Sequence, residues 1–245
     1  MKAKISSTAK YLPKKTLTNS DLEKMVDTSN EWILSRTGIE KRHIVSEGEA
    51  TSDMCKEVAI ALMEKSGKKP EEIDLILIAT STPDVPVVST AALVQDKIGA
   101  TNAWGYDIVA ACTGFVYAME TGAKLVESGK YKNVIVIGAD TMSSIIDYTD
   151  RNTCVIFGDG AGGVLLEPSN DDCGILDAIL LADGSGHKYL TVPAGGSLRP
   201  ASKETIDKKM HYVYQDGKTV FKFAVKNMAD VSKEILDKNN ILGKD

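Results

Sequence analysis

The chain has 245 residues, of which 43% are hydrophobic and 26% are charged, so it can bury a substantial core in one large domain or two smaller ones. Its formal net charge of -5 argues against a nucleic-acid-binding protein, because such proteins usually present a concentrated basic face. The longest apolar runs are too short to cross a bilayer, and the first residues lack the apolar stretch of a signal peptide. We therefore expect a cytoplasmic protein without a membrane segment.

Apolar segments typical of buried strands alternate with amphipathic segments typical of helices, which predicts an α/β protein with a central sheet. The first clear helix has Ser52 as a plausible N-cap and Gly67 as its stop, and it carries a core-facing stripe of Cys55, Val58, Ala59 and Leu62. Strands are predicted at 74–80, 103–109, 133–139 and 161–167, a second helix begins at Cys112, and a last helix covers about 218–238.

A polar stretch at 168–174 interrupts this alternation, and a further strand is predicted from Cys173 onward. We place the boundary between two structural halves there. The predicted division is 1–168 and 169–245.

The segment GDGAGG at 158–163 has the spacing of a dinucleotide-binding fingerprint. That fingerprint requires a helix after the glycines, so that the helix N-terminus meets a pyrophosphate. Here the apolar segment VLLEP follows, which is typical of a strand. We interpret the glycines as a tight turn between elements and not as a nucleotide site.

The four cysteines, at positions 55, 112, 154 and 173, form no C-x-x-C pair and have no histidine at ligand spacing. The pattern predicts reduced thiols without a metal site or a disulfide framework. Cys112 differs from the others because it lies between a predicted strand and a predicted helix. A helix N-terminus favours the thiolate, and the neighbours Ala110, Ala111 and Gly114 leave room for a substrate. The alternative is a small core residue, which we favour for the other three cysteines.

A second group of residues lies in DTSNEWILSRTGIEKR, where Thr28 and Glu31 have capping-box spacing and Trp32 and Arg36 stand four residues apart. An exposed indole beside an arginine suits a nucleotide, because the ring stacks on a base and the guanidinium binds phosphate. The alternative is a Trp half buried against the sheet with the Arg in solvent. Spacing alone does not decide between them.

Five segments taken together resemble β-ketoacyl-acyl carrier protein synthase III, and they occur in the family's order from about residue 3 to the end: NEWILSRTGIEKR, DIVAACTGF, FGDGAGGVLLE, PAGGSLRPAS and DGKTVFKFAV. The resemblance implies a thiolase-like α/β fold of two stacked mixed-sheet halves. It also implies that Cys112 takes an acyl group from acyl-coenzyme A. Malonyl-acyl carrier protein then loses carbon dioxide and attacks the thioester, which gives 3-oxoacyl-acyl carrier protein and starts type II fatty acid synthesis.

The resemblance implies binding residues as well. Trp32 and Arg151 match the residues that sandwich the adenine of coenzyme A, and Arg36 lies where its phosphates pass. The complete expected set for coenzyme A and its pantetheine arm is Thr28, Trp32, Arg36, Arg151, Ile156, Phe157, Gly217 and Phe221. No cofactor is expected, because acyl-coenzyme A is a substrate.

Two partners follow from the same resemblance. The acidic carrier protein needs a local basic patch, for which Lys222, Lys226 and Lys233 on the last helix are candidates, although such a stripe is more often a solvated face. A second copy of the chain is expected in a homodimer, where the 81–95 segment helps to close the partner's acyl pocket. The family commonly has Phe where this chain has Val87. A smaller side chain there favours longer or more branched primers, unless other residues refill the space.

The sequence departs from the family in one respect. The family's P-H-Q-A-N motif, which supplies a catalytic His, and a later Asn have no counterpart in the 245 residues. His43, His187 and His211 lack the surrounding motif. We therefore expect a second half that is incomplete in this chain, and residues 1–245 alone to be inactive in condensation.

Three alternatives stay open. Another thiolase-fold condensing enzyme, such as a chalcone-synthase-like polyketide synthase or a hydroxymethylglutaryl-coenzyme A synthase, would share the cysteine. A catalytically inactive partner that only dimerises or docks carrier protein is the second. A purely structural protein is the third, and it would not need Cys112, Trp32 and Arg151 together.

Overall fold

A computed structural model describes residues 1–171 and 173–243 of the chain. Asp172, Lys244 and Asp245, which belong to the predicted second half, lie outside the described residues. The strands are β1 (Lys2–Tyr11), β2 (Lys15–Thr18), β3 (Lys41–Ile44), β4 (Leu75–Ala79), β5 (Trp104–Ile108), β6 (Val134–Thr141), β7 (Asp159–Ser169), β8 (Leu190–Thr191) and β9 (Tyr214–Gln215). The helices are α1 (Asn19–Glu23), α2 (Asn30–Thr37), α3 (Thr51–Ser66), α4 (Thr90–Lys97), α5 (Gly114–Glu127), α6 (Arg151–Cys154), α7 (Lys203–Asp207) and α8 (Gly217–Lys238).

The main sheet has the strand order β1-β7-β6-β4-β5. The pairs β1–β7 and β7–β6 are antiparallel, whereas β6–β4 and β4–β5 are parallel. The strands predicted at 74–80, 103–109, 133–139 and 161–167 are thus confirmed as β4 to β7. Two smaller sheets pair β2 with β3 and β8 with β9.

Both faces of this sheet are covered by helices. Strand β4 is buried at every position because successive side chains point to opposite faces, so Ile76 and Ile78 join one core and Leu75 and Leu77 the other. Helix α3 packs in the first core through the predicted stripe of Cys55, Val58, Ala59 and Leu62. Helix α5 covers the second through Ala118, Ala123 and Val126.

The chain divides into two compact units, each assembled from separate segments. The first comprises Met1–Thr16, His43–Ser143 and Gly158–Leu176, and contains the main sheet with α3, α4 and α5. The second comprises Leu17–Arg42, Ser144–Phe157 and the chain from Asp177 onward. The predicted division at residue 168 concerns the two halves of the thiolase-like fold, which is a different division, and it stays a prediction.

Of the two caps predicted for α3, the C-cap is confirmed and the N-cap is wrong. Gly67 ends the helix in the left-handed conformation, with φ 71°, as expected of a C-cap glycine. The predicted N-cap Ser52 is wrong: the helix begins at Thr51, and Asp53 accepts a hydrogen bond from the Ala50 amide at 3.0 Å. Ser52 is engaged elsewhere, because its hydroxyl donates to Asp84 at 2.5 Å.

Two further predictions were wrong. The glycines of GDGAGG form no turn, because Gly160, Gly162 and Gly163 all lie inside β7. A Cβ at Gly163 would approach the Val136 carbonyl oxygen to 2.7 Å, so the glycine permits close strand packing. The strand predicted from Cys173 is absent from 173–183, a stretch that contains no strand or bridge pairing in the described residues.

Among the residues that the structure describes, no helix has both the length and the apolar character that a membrane crossing requires.

Candidate active site

Cys112 lies in the sharp turn that joins β5 to α5. The turn is a 3₁₀ segment, Ala111–Thr113, and the α-helix proper begins at Gly114, two residues later than predicted. The Thr113 amide and hydroxyl both donate to the Ala110 carbonyl, at 3.2 and 2.9 Å, which tightens the turn and delays the helix. Cys112 is exposed in this position.

Ala111, directly before the cysteine, adopts a left-handed conformation with φ 45°. This conformation is costly for a residue with a Cβ, and such strain is concentrated at functional sites. A strained strand-to-helix turn is also the device that exposes the nucleophilic serine of other enzymes. The local backbone is therefore shaped to present the thiol and not to bury it.

The thiol opens onto a cavity of about 500 Å³. Its lining consists mainly of small residues: Ala79, Ala111, Cys112, Phe115, Gly138, Ala139, Asp140, Gly162 and Gly163. The expectation of small neighbours holds for Ala111. Sequence reasoning missed the contribution of Gly162 and Gly163, which belong to the segment set aside as a false nucleotide motif.

Asp140 is the charged group of this lining, and it was also missed. Its Oδ1 accepts hydrogen bonds from the Ser81 amide at 2.8 Å and from the hydroxyls of Thr82 and Thr80 at 3.0 and 3.2 Å. These bonds fix the start of the segment that follows β4. The signal that could have found Asp140 is its place near the carboxyl end of β6, the edge at which parallel strands gather polar groups.

Val87 lies farther along the same segment. Its side chain is fully exposed, and its φ of 80° is rare for a β-branched residue. The segment ends where Asp107 accepts the amides of Thr90 and Ala91 at 2.6 and 2.8 Å, at the start of α4. The exposed Val87 is thus held on a segment anchored at both ends.

The other cysteines differ from Cys112 in their surroundings. Cys55 and Cys154 are completely buried, and burial raises the pKa of both thiols. A raised thiol pKa leaves less of the nucleophilic thiolate at neutral pH. Cys173 is exposed, but it lies in a stretch without a helix start.

Trp32 and Arg151 are brought together although 118 residues separate them in the chain. The guanidinium carbon of Arg151 lies 5.2 Å from the centroid of the Trp32 ring, and its Nη1 donates to the Asp27 carbonyl at 2.8 Å. Trp32 is 37% exposed, so the pair is open to solvent on one side. The cation beside the indole is Arg151, and Arg36 is exposed in the last turn of α2.

The predicted capping box of Thr28 and Glu31 is wrong. Ser29 is the N-cap of α2, and its hydroxyl accepts from the Trp32 amide at 3.1 Å. The Thr28 hydroxyl oxygen is buried and has no hydrogen-bond partner among the described residues. A one-residue shift of the cap places Trp32 at the third helical position.

The remaining predicted contacts with coenzyme A also belong to the second unit. Ile156 and Phe157 come after Val155, the C-cap residue of α6, which begins at Arg151. Gly217 begins α8, and Phe221, one turn later, is 68% exposed. The three lysines considered for carrier-protein binding, Lys222, Lys226 and Lys233, are exposed on the same helix.

The three histidines have local partners. The Nδ1 atoms of His43 and His187 lie 2.7 and 3.1 Å from the carbonyl oxygens of Pro13 and Gly184. Nε2 of His211 lies 2.9 Å from the Thr205 hydroxyl. In the described part of the chain, no cluster of three or more His, Cys, Asp or Glu side chains is arranged to hold a metal ion.

The structure thus combines an α/β sheet with an exposed thiol that lines a cavity of small residues, an arrangement that suits the class of enzymes with a cysteine nucleophile. Comparison with known proteins narrows the class. The profile of the 3-oxoacyl-[acyl-carrier-protein] synthase III family matches residues 106–184. β-Ketoacyl-[acyl-carrier-protein] synthase III of Chlorobium phaeobacteroides is 57% identical over 248 residues, covering all of this chain and 75% of the relative. That of Koribacter versatilis is 54% identical over 246 residues, covering all of this chain and 74% of the relative.

Solved structures agree with this match. The 3-oxoacyl-[acyl-carrier-protein] synthase III of Aquifex aeolicus superimposes with a TM-score of 0.87 at 42% identity, over 98% of this chain and 72% of that one. The enzyme from Thermus thermophilus gives a TM-score of 0.88 at 36% identity, over 99% and 74% of the two chains. The chain belongs to the β-ketoacyl-acyl carrier protein synthase III family. The prediction of a thiolase-like α/β fold is confirmed.

Proposed function

We propose that the protein is the condensing enzyme that joins an acyl-coenzyme A primer to malonyl-acyl carrier protein, with Cys112 as the nucleophile. Membership of the family supports the reaction. The role of Cys112 is supported mainly by its exposed position in the strained turn Ala111–Thr113. There its thiol lines the cavity of about 500 Å³. This position gives an acyl thioester access to the sulfur.

In the first half of the reaction the Cys112 thiolate attacks the thioester carbonyl, the bond from carbon to the coenzyme A sulfur breaks, and the released thiolate takes up a proton. In the second half, malonyl-acyl carrier protein loses carbon dioxide, and the resulting enolate carbon attacks the acyl group on Cys112. The new carbon–carbon bond forms as the bond to the cysteine sulfur breaks. Both transfers use one thiol and need no redox or metal cofactor.

Trp32 and Arg151 are proposed to hold the adenine of coenzyme A between them, with Arg36 on the phosphates. A planar base makes a contact of about 3.5 Å on each side, so the sandwich needs roughly 7 Å between the two groups. The present separation is 5.2 Å. Arg151 is exposed, and binding would displace it outward by about 2 Å. Thr28, Ile156, Phe157, Gly217 and Phe221 are proposed to line the rest of the path.

The acylation step can be tested by intact mass after incubation with acetyl-coenzyme A. We expect the mass to increase by one acetyl group, located on Cys112 by peptide mapping. Cys112→Ser should abolish the increase, whereas the matched control Cys55→Ser changes a buried thiol and should retain it. Acetylation that persists in Cys112→Ser would contradict the assignment.

A polypeptide of residues 1–245 alone is predicted not to catalyse the condensation step. The expectation that it does not condense rests on the missing counterparts of the family His and Asn, since groups that stabilise an enolate typically supply several kcal/mol. It stays a prediction, and acetoacetyl product from a chain of verified mass would refute it.

A homodimer and a cytoplasmic location are further proposals. The two edges of the main sheet support the dimer, because they differ in character. Edge strand β1 carries Lys2, Lys4 and Lys10 and a register shift between Ile5 and Ser7, features that discourage pairing with another strand. Edge strand β5 carries no lysine, and the apolar residues Trp104, Val109 and Val116 on or near it are exposed.

The cytoplasmic location is supported by the exposed thiols of Cys112 and Cys173, which suit a reducing compartment.

Val87 is proposed to set the primer preference through the acyl pocket of the partner subunit. A valine in place of a ring leaves space for a few methylenes, each worth about 0.8 kcal/mol when buried. In the complete enzyme, kcat/KM for isobutyryl-coenzyme A relative to acetyl-coenzyme A should fall on Val87→Phe. An unchanged ratio would show that Val87 does not set the pocket.

A further inference from the structure

Arg42 is a buried arginine that is not part of the proposed reaction. It is the second residue of β3 and is only 3% exposed. Its Nε donates to the Val155 carbonyl at 3.1 Å, and Nη2 donates to the same oxygen. Nη1 donates to the side-chain oxygen of Asn19. One guanidinium thus joins two segments that are far apart in the sequence.

Val155 lies within the stretch that holds three of the proposed coenzyme A residues. Arg151 precedes it in α6, and Ile156 and Phe157 directly follow it. A hydrogen bond to the Val155 carbonyl therefore fixes the main chain in the middle of the Arg151–Phe157 segment. The two donors of one rigid guanidinium fork restrict both the distance and the orientation of that carbonyl.

Asn19 continues the connection toward Trp32. Its side-chain nitrogen, Nδ2, donates to the side-chain oxygen of Asn30 at 3.0 Å and to the Ile39 carbonyl at 2.9 Å. Asn30 is the first residue of α2, and Ile39 follows its C-cap, so Asn19 contacts both ends of the helix that carries Trp32. Asn19 is 1% exposed, so these bonds are shielded from water.

We propose that Arg42 and Asn19 form a positioning pair that sets α2, with Trp32, against the Arg151–Phe157 segment and so preforms the coenzyme A nucleotide site. This inference rests on the proposed function of Trp32 and Arg151. Among the hydrogen bonds of the described residues, none joins Arg42 or Asn19 to the side chain of Trp32 or Arg151. The pair acts through the two elements that carry Trp32 and Arg151.

Burying a charged guanidinium lowers the free energy of unfolding, which argues that Arg42 has a role besides stabilising the fold. Burial lowers the pKa of Arg42, and the partners that compensate are a main-chain carbonyl and a neutral amide. An apolar residue of similar volume is often no less stabilising than a buried charge. What it cannot supply is a directional link between Val155 and Asn19.

The test compares two acyl donors on the complete protein. Acetyl-coenzyme A carries the nucleotide, whereas S-acetyl-N-acetylcysteamine carries the same reactive thioester without it. The rate of Cys112 acetylation by each donor is measured by mass spectrometry in the parent, Arg42→Gln, Arg42→Lys, Asn19→Ala and the double variant Arg42→Lys/Asn19→Ala. Ser7→Ala is the control, because it removes a buried hydrogen bond to a main-chain carbonyl, that of Leu62, in the other unit.

We expect the KM for acetyl-coenzyme A to rise about tenfold or more in Arg42→Gln, because a misplacement of roughly 1 Å in a positioning contact can cost on the order of a hundredfold. The maximal acetylation rate and the rate with S-acetyl-N-acetylcysteamine should stay near the parent values. Arg42→Lys keeps the charge but loses the fork, and it should also raise KM. Because both residues act through one link, the double variant should be less impaired than the product of the single effects.

The outcomes separate this inference from the proposed function. A parent that reacts equally well with both donors would refute the coenzyme A site itself. A parent that prefers acetyl-coenzyme A, with variants that keep the same preference, would overturn the role of Arg42. Equal losses with both donors would mark Arg42 as a residue of stability alone. If Arg42→Gln does not fold, Arg42→Lys and Asn19→Ala decide by the same comparison.

Discussion

At the residue scale, the four thiols are distinguished by exposure and by local backbone. Cys112 is exposed in the 3₁₀ turn directly before α5, whereas Cys55 and Cys154 are buried with raised pKa values. We predict that limiting iodoacetamide at neutral pH alkylates Cys112 first, because its thiol is exposed in the Ala111–Thr113 turn, whereas the buried thiols of Cys55 and Cys154 hold less of the reactive thiolate. Peptide mapping over time gives the order.

Cys173 is the internal control for this experiment. It is exposed like Cys112 but lies outside a helix start, so it isolates the effect of backbone setting from that of access. Equal labelling of Cys112 and Cys173 would show that exposure alone decides. Labelling of Cys55 before Cys112 would contradict the buried position of Cys55 on the core-facing side of α3.

Tyr11 provides a pH-dependent prediction. Its hydroxyl donates to the Glu49 carboxylate at 2.6 Å, and this hydrogen bond, followed by burial and the nearby negative charge, raises the pKa of Tyr11 from near 10 to about 12. A raised pKa in the folded state stabilises the fold fully below pH 10 and progressively less as the pH rises toward 12.

We therefore expect the parent to lose free energy of unfolding relative to Tyr11→Phe as the pH rises from 9 to 12, a range set by the ordinary and raised pKa of Tyr11. Phe cannot ionise, so its curve lacks this contribution. Denaturant titrations at several pH values measure the difference. Parallel curves for the two proteins would mean that the hydrogen bond to Glu49 does not shift the titration.

At the element scale, β7 contains two neighbouring glycines with different surroundings. A Cβ on Gly163 would lie 2.7 Å from the Val136 carbonyl oxygen and 2.8 Å from a side-chain carbon of Ile137, whereas one on Gly162 would lie 3.9 Å from the Ala9 carbonyl oxygen. We predict that Gly163→Ala destabilises the fold by about 1 to 3 kcal/mol, because the sheet must shift. Thermal or urea unfolding gives the value.

Gly162→Ala is the matched control, since it adds the same methyl group one residue away. Its cost should be well below that of Gly163→Ala. Equal costs would indicate a general intolerance of β7 and not a specific close approach. Both glycines line the cavity, so the comparison is read from stability alone.

The stretch after β7 shows what an apolar pattern leaves undetermined. The segment ILDAILLADG suits a strand by composition, yet no strand forms between 173 and 183 in the described residues. Leu176 and Leu181 are 60% and 63% exposed. A strand needs a neighbouring edge for its backbone hydrogen bonds, and that requirement cannot be read from the segment itself.

At the scale of the whole molecule, the difference between the two sheet edges leads to a test of the dimer. Val109, next to β5, and Ile5, on β1, are both exposed apolar residues, at 76% and 47%. We predict that Val109→Lys lowers the dimer fraction at micromolar concentration, because a charge would be buried between two copies. Sedimentation velocity measures it.

Ile5→Lys makes the same change on the other edge and should leave the association state unchanged. Loss of dimer in both variants would point to a general loss of stability. A parent that sediments as a monomer would reject the dimer altogether.

Local patterns and long-range contacts differ in what the sequence can predict. The buried strands β4 and β6 and the long helices were predictable, because their periodicity is a property of consecutive residues. The caps Thr28 and Ser52 were misassigned, since several hydroxyls and carboxylates compete within one turn. The pairing of Trp32 with Arg151 followed only from the family resemblance. The bonds of Arg42 to Asn19 and Val155 were not foreseen, because they join residues that only the folded chain brings together.

The left-handed Ala111 has a consequence for protein engineering. A residue held at φ 45° with a Cβ stores conformational energy directly beside Cys112, the proposed nucleophile. Selection for thermostability favours changes that relax such a residue, whereas selection for turnover favours the geometry that it maintains. At position 111 the two selections therefore favour different residues. A stabilised variant of this enzyme should be sought through substitutions in the cores under α3 and α5 and not at the turn.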